Sequence, residues 1–278
     1  MNRLQKALLD ILECFIKVCE EHQLTWFLVN GSALGAEKYG GFIPWDDDID
    51  VAMPREDYEI FCQKAQNSLP PHLFLQNYKT QKEFPLFYSK LRNSNTTFIE
   101  EGMRHLDIHH GIYIDIFPLD NFPDGKLQQL ALRCKLKVLG SLQFCGYKNN
   151  MGWRKRLLRA FGYHKKTDRT LARMEKLVRR YQNTKNVCDY GDRQGKGLCP
   201  RAFYEQCGFA SFEGLQVPVP SPIEEYLSYK YGNWRAELPK EQQISHHYTV
   251  AYNLDVPYGE HIKSTDMLAD LSANINKP

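Results

Sequence analysis

The segment GGFIPWDDDIDVAMPREDYE, residues 40–59, restricts the folds open to this chain more than any other. Asp46, Asp47, Asp48 and Asp50 fall within five positions and lead straight into Val51, Ala52 and Met53. Like charges repel, and a carboxylate buried without a partner is strongly unfavourable. If the segment is a strand, Asp48 and Asp50 share one face, while Ile49 and Val51 point to the opposite, buried one. A sheet is therefore expected, with two neighbouring carboxylates at its rim. A bound cation relieves their repulsion. Mg²⁺ suits the site because it takes oxygen ligands and keeps substrate phosphates in its shell. Such ions clamp the attacking and leaving oxygens of a phosphoryl transfer. The spacing of Asp46, Asp48 and Asp50 also imitates the start of a calcium-binding EF-hand loop. There, however, Val51 stands where the sharp turn needs glycine, and Asp57 stands where the loop needs glutamate.

A third acid comes from GIYIDIFPLD, residues 111–120, which reads as the clearest strand in the chain, with Pro118 expected to stop it. Asp115 sits between Ile114 and Ile116, where an acid has little structural use. It is a candidate metal ligand or base beside Asp48 and Asp50. Tyr113, two positions away, shares its face and is a candidate to line the substrate pocket. Upstream, Gly31 and Ser32 in NGSALG fall at a strand-to-helix junction, where free backbone N–H groups can seat a phosphate. Lys90 and Arg92 in YSKLRNSN alternate onto one strand face and are candidates to meet substrate phosphates. Asp46 is as easily a turn residue as a ligand. Asp47 is expected in solvent, and Trp45 in the core. The pairs His109-His110 and His246-His247 read as polar loop residues.

The other elements follow from periodicity. Leu4, Leu8, Ile11, Phe15 and Val18 mark one face of an amphipathic helix over residues 2–22. Short strands are expected at TWFLVN, LFLQNY, LFYSKLRN and TTFIEE, and helices at SALGAEKY, REDYEIFCQKAQNSL and IEEYLSYKYG. VPVPSP reads as a proline-rich loop. The N-terminal segment spreads charges among its apolar positions, unlike a signal peptide. No run of 18 apolar residues is present. The eight cysteines form no C-x-x-C pair, so reduced thiols and a cytoplasmic setting are expected.

Net charge is only +3, yet it is unevenly distributed. Residues 126–180 carry 16 Lys and Arg against Asp168 and Glu175. Such a block predicts a phosphate-bearing or polyanionic partner. Its first helix carries an apolar stripe, Leu127, Leu130, Cys134 and Val138, expected to pack on the rest of the protein. No nucleic-acid-binding module is recognisable. Three parts are expected: a core over 1–125, a basic helical insertion over 126–185, and a mixed segment over 186–278 that packs on the core.

Gly-Ser, then D-x-D, then a lone Asp on a later strand is the pattern of the nucleotidyltransferase superfamily. The longer stretch NGSALGAEKYGGFIPWDDDIDVAMPREDYE resembles the signature of the LicD family of phosphocholine transferases. KLRNSNTTFIE, GIYIDIFPLD and FEGLQVPVPSPIEEYLSYKYGNW are also similar to its recurring blocks. The resemblance spans residues from about 25 to 247. It implies an α+β fold with a polymerase-beta-like core, a small mixed sheet with helices, and the basic helical part as an elaboration. It further implies transfer of a phospho-alcohol from a CDP-alcohol, most often CDP-choline, to a hydroxyl of a surface or lipid-linked glycan, with CMP leaving and Mg²⁺ required. In that reading Asp48, Asp50 and Asp115 hold the metal and Gly31-Ser32 seat phosphate. The basic block would meet the acceptor or the anionic inner membrane surface. The alternative is a nucleotidylyltransferase that attacks the α-phosphorus of a nucleotide and releases pyrophosphate.

Overall fold

The computed structural model describes residues 1–143, 166–191, 197–245 and 249–260. Residues 144–165 of the expected basic helical insertion and the pair His246-His247 lie outside them.

Helix α1 (Arg3–Glu21) opens on a capping box: Gln5 N–H donates to the Asn2 side chain, and Asn2 N–H donates back to Gln5 Oε1. Its apolar face, including Leu8, Ile11, Leu12, Phe15 and Val18, is buried in the largest core cluster. Strand β1 (Phe27–Leu28) is shorter than expected, because helix α2 (Asn30–Tyr39) takes over the following residues. Strand β2 (Asp50–Pro54) follows, then helix α3 (Arg55–Ser68), with Glu56 and Asp57 in the first turn, where the helix dipole favours anions. Strands β3 (Leu73–Gln76), β4 (Ser89–Asn93), β5 (Thr97–Glu100) and β6 (Tyr113–Phe122) complete the N-terminal half.

The main sheet runs β1-β2-β6-β4-β3. β2 and β6 are parallel, and the other neighbours in that order are antiparallel. The fold is thus α+β around a mixed sheet. β6 does not stop at Pro118 but continues to Phe122. Asp115 N–H donates towards β2, to Ile49 O, so alternation turns the Pro118 nitrogen to the opposite side. On that side β4 pairs only as far as Ile116, and strand β7 (Asn186–Cys188) begins pairing at Asp120. The proline occupies the gap between two partners, where a missing donor costs no ladder bond.

Helix α4 (Lys126–Gln143) and helix α5 (Thr167–Val178) pack together through Leu132, Leu171, Met174, Leu177 and Val178. Strand β8 (Leu198–Pro200) pairs with β7. The expected proline-rich loop is instead half of a hairpin, β9 (Cys207–Phe212) with β10 (Leu215–Pro220). The two turn residues, Glu213 and Gly214, both have positive φ, as a tight hairpin requires. Pro218 and Pro220 lie two apart, so both nitrogens face one edge, and a two-stranded ribbon leaves one edge without a ladder. Helix α6 (Ile223–Tyr231) and strand β11 (Thr249–Asn253), paired with β5, close the described chain. Among the described residues no helix is long and apolar enough to cross a membrane, and the described cysteines are all free thiols.

Candidate active site

The acidic motif forms a loop that enters β2. Ile49 and Val51 are fully buried, while Asp46, Asp47, Asp48 and Asp50 are half-buried. Only Asp50 belongs to the strand; Asp48 precedes it. Both nevertheless line one cavity of about 380 Å³, together with Asp46, Asp47, Gly31, Trp45, Tyr231 and Trp234. One wall is one side of α2, from Asn30 to Tyr39, and the acidic loop. The other is Tyr231, at the end of α6, and the segment after it.

Backbone contacts fix this geometry. Asp50 N–H donates to Ser32 Oγ at 2.9 Å, and Val29 N–H donates to Asp50 O at 3.0 Å. Asn30 N–H, at the start of α2, donates to the Tyr226 hydroxyl of α6 at 3.1 Å. The Gln5 side chain, whose oxygen caps α1, donates through Nε2 to Asp46 O at 3.1 Å. A Cβ on Gly31 would stand 3.2 Å from Asp46 Oδ2, so the absent side chain lets the carboxylate approach the helix. Lys38 donates to the carbonyls of Arg235 and Ala236 and pairs with Glu237, tying the two walls together. Burial, and then the negative charges of Asp50, Asp46 and Asp48, push the Tyr231 phenol above its ordinary pKa. It faces the acids as a neutral hydroxyl.

Asp115 lies beside Asp50 as its register partner across the parallel β2-β6 pair. On its other side the partner is Lys90 of β4. Lys90 Nζ is 2.9 Å from Asp115 Oδ1 and 3.6 Å from Glu100, with the lysine side chain 1% exposed. Its ammonium also sits 3.2 Å from the centre of the Tyr113 ring. Arg92 is fully buried, donating to Gln76 Oε1, Gly111 O and Glu100 Oε2.

The structure therefore brings Gly31, Asp48 and Asp50 to one cavity wall, and sets Asp115 beside Asp50. Ser32 is spent on the Asp50 backbone. Asp115, Lys90, Arg92 and Tyr113 do not line the cavity; the last three form a buried ionic layer around Asp115. The strand face expected to be basic is charged but dry. Among the described residues no three His, Cys, Asp or Glu side chains are gathered at metal-ligand spacing. His109 and His110 lie in a loop, as expected, but are buried there. Trp45 and Asp47 line the cavity, and the Ser245 hydroxyl donates to Asp47.

Sequence reading missed Gln5, Tyr231 and Trp234. The last two lie in YKYGNW, a block whose likeness was visible but whose residues had no chemical signature of their own. Gln5 reads as a capping residue, and only the tertiary fold gives its amide nitrogen a second task. It also missed Asp120, whose carboxylate is held by Arg55 in a buried pair, Arg55 Nε donating to Oδ1 at 2.7 Å. That pair anchors α3 to β6.

Residues 23–148 match the sequence family described as LicD/FKTN/FKRP, nucleotidyltransferase domain. Among curated proteins, the chain is similar to the lipopolysaccharide cholinephosphotransferase LicD of Haemophilus influenzae. The two are 28% identical over 270 residues, spanning 90% of this chain and 97% of that protein.

Proposed function

We propose that this chain, whose residues 23–148 match the LicD family, transfers phosphocholine from CDP-choline to a hydroxyl of a lipopolysaccharide or similar glycan, releasing CMP. The observation that carries the reading is the cavity lined by Gly31, Asp46, Asp48 and Asp50, with Asp115 in register beside Asp50. The similar Haemophilus protein is by name a lipopolysaccharide cholinephosphotransferase, which supports the choice of headgroup and acceptor. We read the core as a polymerase-beta-like nucleotidyltransferase fold, the domain type named for the matching family.

An all-oxygen carboxylate wall fits Mg²⁺, which is commonly held by one or two carboxylates with substrate phosphates and water completing its shell. A preassembled three-ligand cage is therefore not needed. Asp48 and Asp50 would hold the ion, with Asp115, beside Asp50 and paired with Lys90, as the third carboxylate behind them; when bound, the ion would neutralise charge on the diphosphate. The chain's own residues do the rest. The N-terminal turn of α2 at Gly31 faces the cavity and offers N–H groups to phosphate oxygens. Trp45 and Tyr231 present aromatic surface beside the acids, a lining suited to a quaternary ammonium. The acceptor hydroxyl oxygen attacks the β-phosphorus and its proton is released to solvent, the bond to the bridging oxygen breaks, and CMP departs.

The test is incubation with CDP-choline, Mg²⁺ and a lipopolysaccharide acceptor, with CMP and labelled glycan as readouts. Asp48→Asn and Asp50→Asn should each slow turnover by about 10²–10⁴-fold. Pyrophosphate release from a nucleoside triphosphate, with no CMP from CDP-choline, would assign the chain to nucleotidylyl transfer instead.

A further inference from the structure

Helix α4 turns its apolar stripe outward. Leu127 is 83% exposed, Leu130 60% and Val138 63%, and Cys134 between them is exposed as well. At about 100° per residue these four positions fall on one side of the helix. The expectation that they pack on the core is overturned: the opposite face does so, through Leu132 with Leu136 and Leu139. The exposed stripe is flanked by cations, with Lys126, Arg133 and Lys137 along one edge and Lys135 along the other. It continues into a groove of about 570 Å³ between α4 and α5. That groove is floored by Cys134, Val138, Leu139 and Leu177 and rimmed by Lys135, Arg173, Lys176 and Arg180, with no acid among the described residues of its lining. Glu175, on α5, is turned away to Lys79, Tyr78 and Arg179.

We propose that this face of α4 and α5 docks the protein onto an anionic lipid bilayer, with the stripe entering the headgroup boundary and the cations meeting lipid phosphates. An apolar stripe bordered by Lys and Arg on an exposed helix is the arrangement of interfacial helices. The charge selects among occupants. A second copy of this chain would bring one strongly basic face against another. A nucleic acid would account for the cations but leave three large apolar side chains in water. A membrane surface uses both. The inference does not depend on the transferase reading, since it concerns a surface outside the cavity.

The experiment is co-sedimentation of the full chain with vesicles, without turnover as a readout. Vesicles containing phosphatidylglycerol should carry the protein down, and pure phosphatidylcholine vesicles should not. Raising salt to about 0.5 M should weaken binding, because surface charge is then screened within a few Å. The triple variant Leu127→Gln/Leu130→Gln/Val138→Gln should lower the partition coefficient about tenfold or more, as should Lys135→Gln/Lys137→Gln. Each should melt like the wild type, since all five positions are exposed. Absence of binding to anionic vesicles, or binding that neither variant weakens, overturns the proposal. So does a concentration-dependent dimer in light scattering that the glutamine triple variant abolishes, which would assign the stripe to a second copy.

Discussion

Lys90 Nζ lies 2.9 Å from Asp115 Oδ1, and both side chains are almost wholly removed from water. The pair sits in the middle of the sheet, one strand away from the cavity. Removing one member of a buried ion pair leaves the other charged and unsolvated, and typically costs about 3–5 kcal/mol. Lys90→Met keeps the length of the side chain and its contact with the Tyr113 ring but deletes the charge. It should lower unfolding free energy by about that amount, read from urea denaturation. A loss below about 1 kcal/mol would mean the pair contributes no more than a surface contact.

Gly35 of α2 is constrained differently. A Cβ there would stand 2.4 Å from Gly41 O and 3.1 Å from Ile43 N, both backbone atoms that cannot swing aside. Alanine ordinarily gains about 1 kcal/mol over glycine inside a helix. Overpacking of this kind costs about 1–3 kcal/mol, so the clash should win. Gly35→Ala is expected to lower the melting temperature and to reduce turnover, because the displaced loop carries Asp46 and Asp48. An unchanged melting point would show that the loop yields freely.

Much of this layout was legible in the sequence. The period of α1, the apolar run of β6 and the alternation around Ile49 and Val51 are local signals, and local signals survive folding. The adjacency of Asp50 and Asp115 is not local. It required two strands to pair in parallel, and only the ordered motifs suggested it. Pro118 and the prolines of β10 misled because a proline's meaning depends on whether its missing donor faces a partner strand. The stripe on α4 misled because an apolar periodicity says that a face exists, not which face the core takes. Lys90 and Arg92 were visible as charges, but their burial depended on Glu100 and Asp115 arriving from other strands.

Ser32 offers a test of how the acidic strand is held. Its hydroxyl accepts the Asp50 N–H at 2.9 Å and is itself buried. Ser32→Ala leaves that donor unsatisfied, at a cost of about 1–3 kcal/mol. If Ser32 acts chiefly by positioning Asp50, Ser32→Thr should restore much of the turnover and stability that alanine loses. Failure of threonine to rescue either quantity would remove the positioning role.

The two buried histidines set an acid limit. His109 is pushed down to about 3 and His110 to about 4, in each case by burial first and the Arg92 charge second. His109 Nδ1 accepts the Gly111 N–H at 3.1 Å, and its ring stacks on Phe74. His110 Nε2 donates to Leu106 O at 3.1 Å, and among the described residues its Nδ1 has no partner. Protonation would therefore place a second, unmatched donor and a charge beside Arg92. In the unfolded chain both rings titrate near their ordinary value of about 6.5. Their depressed folded values mean that the unfolded state binds more protons below that pH. Stability is complete above pH ~6.5 and falls as pH drops towards the folded values, by up to about 1.4 kcal/mol per pH unit for each ring. His110→Gln keeps a neutral side chain at every pH. Its stability deficit relative to wild type should shrink between pH 7 and pH 5, by on the order of 2 kcal/mol. Parallel stability curves for the two proteins across that range would show that His110 is not neutral in the fold.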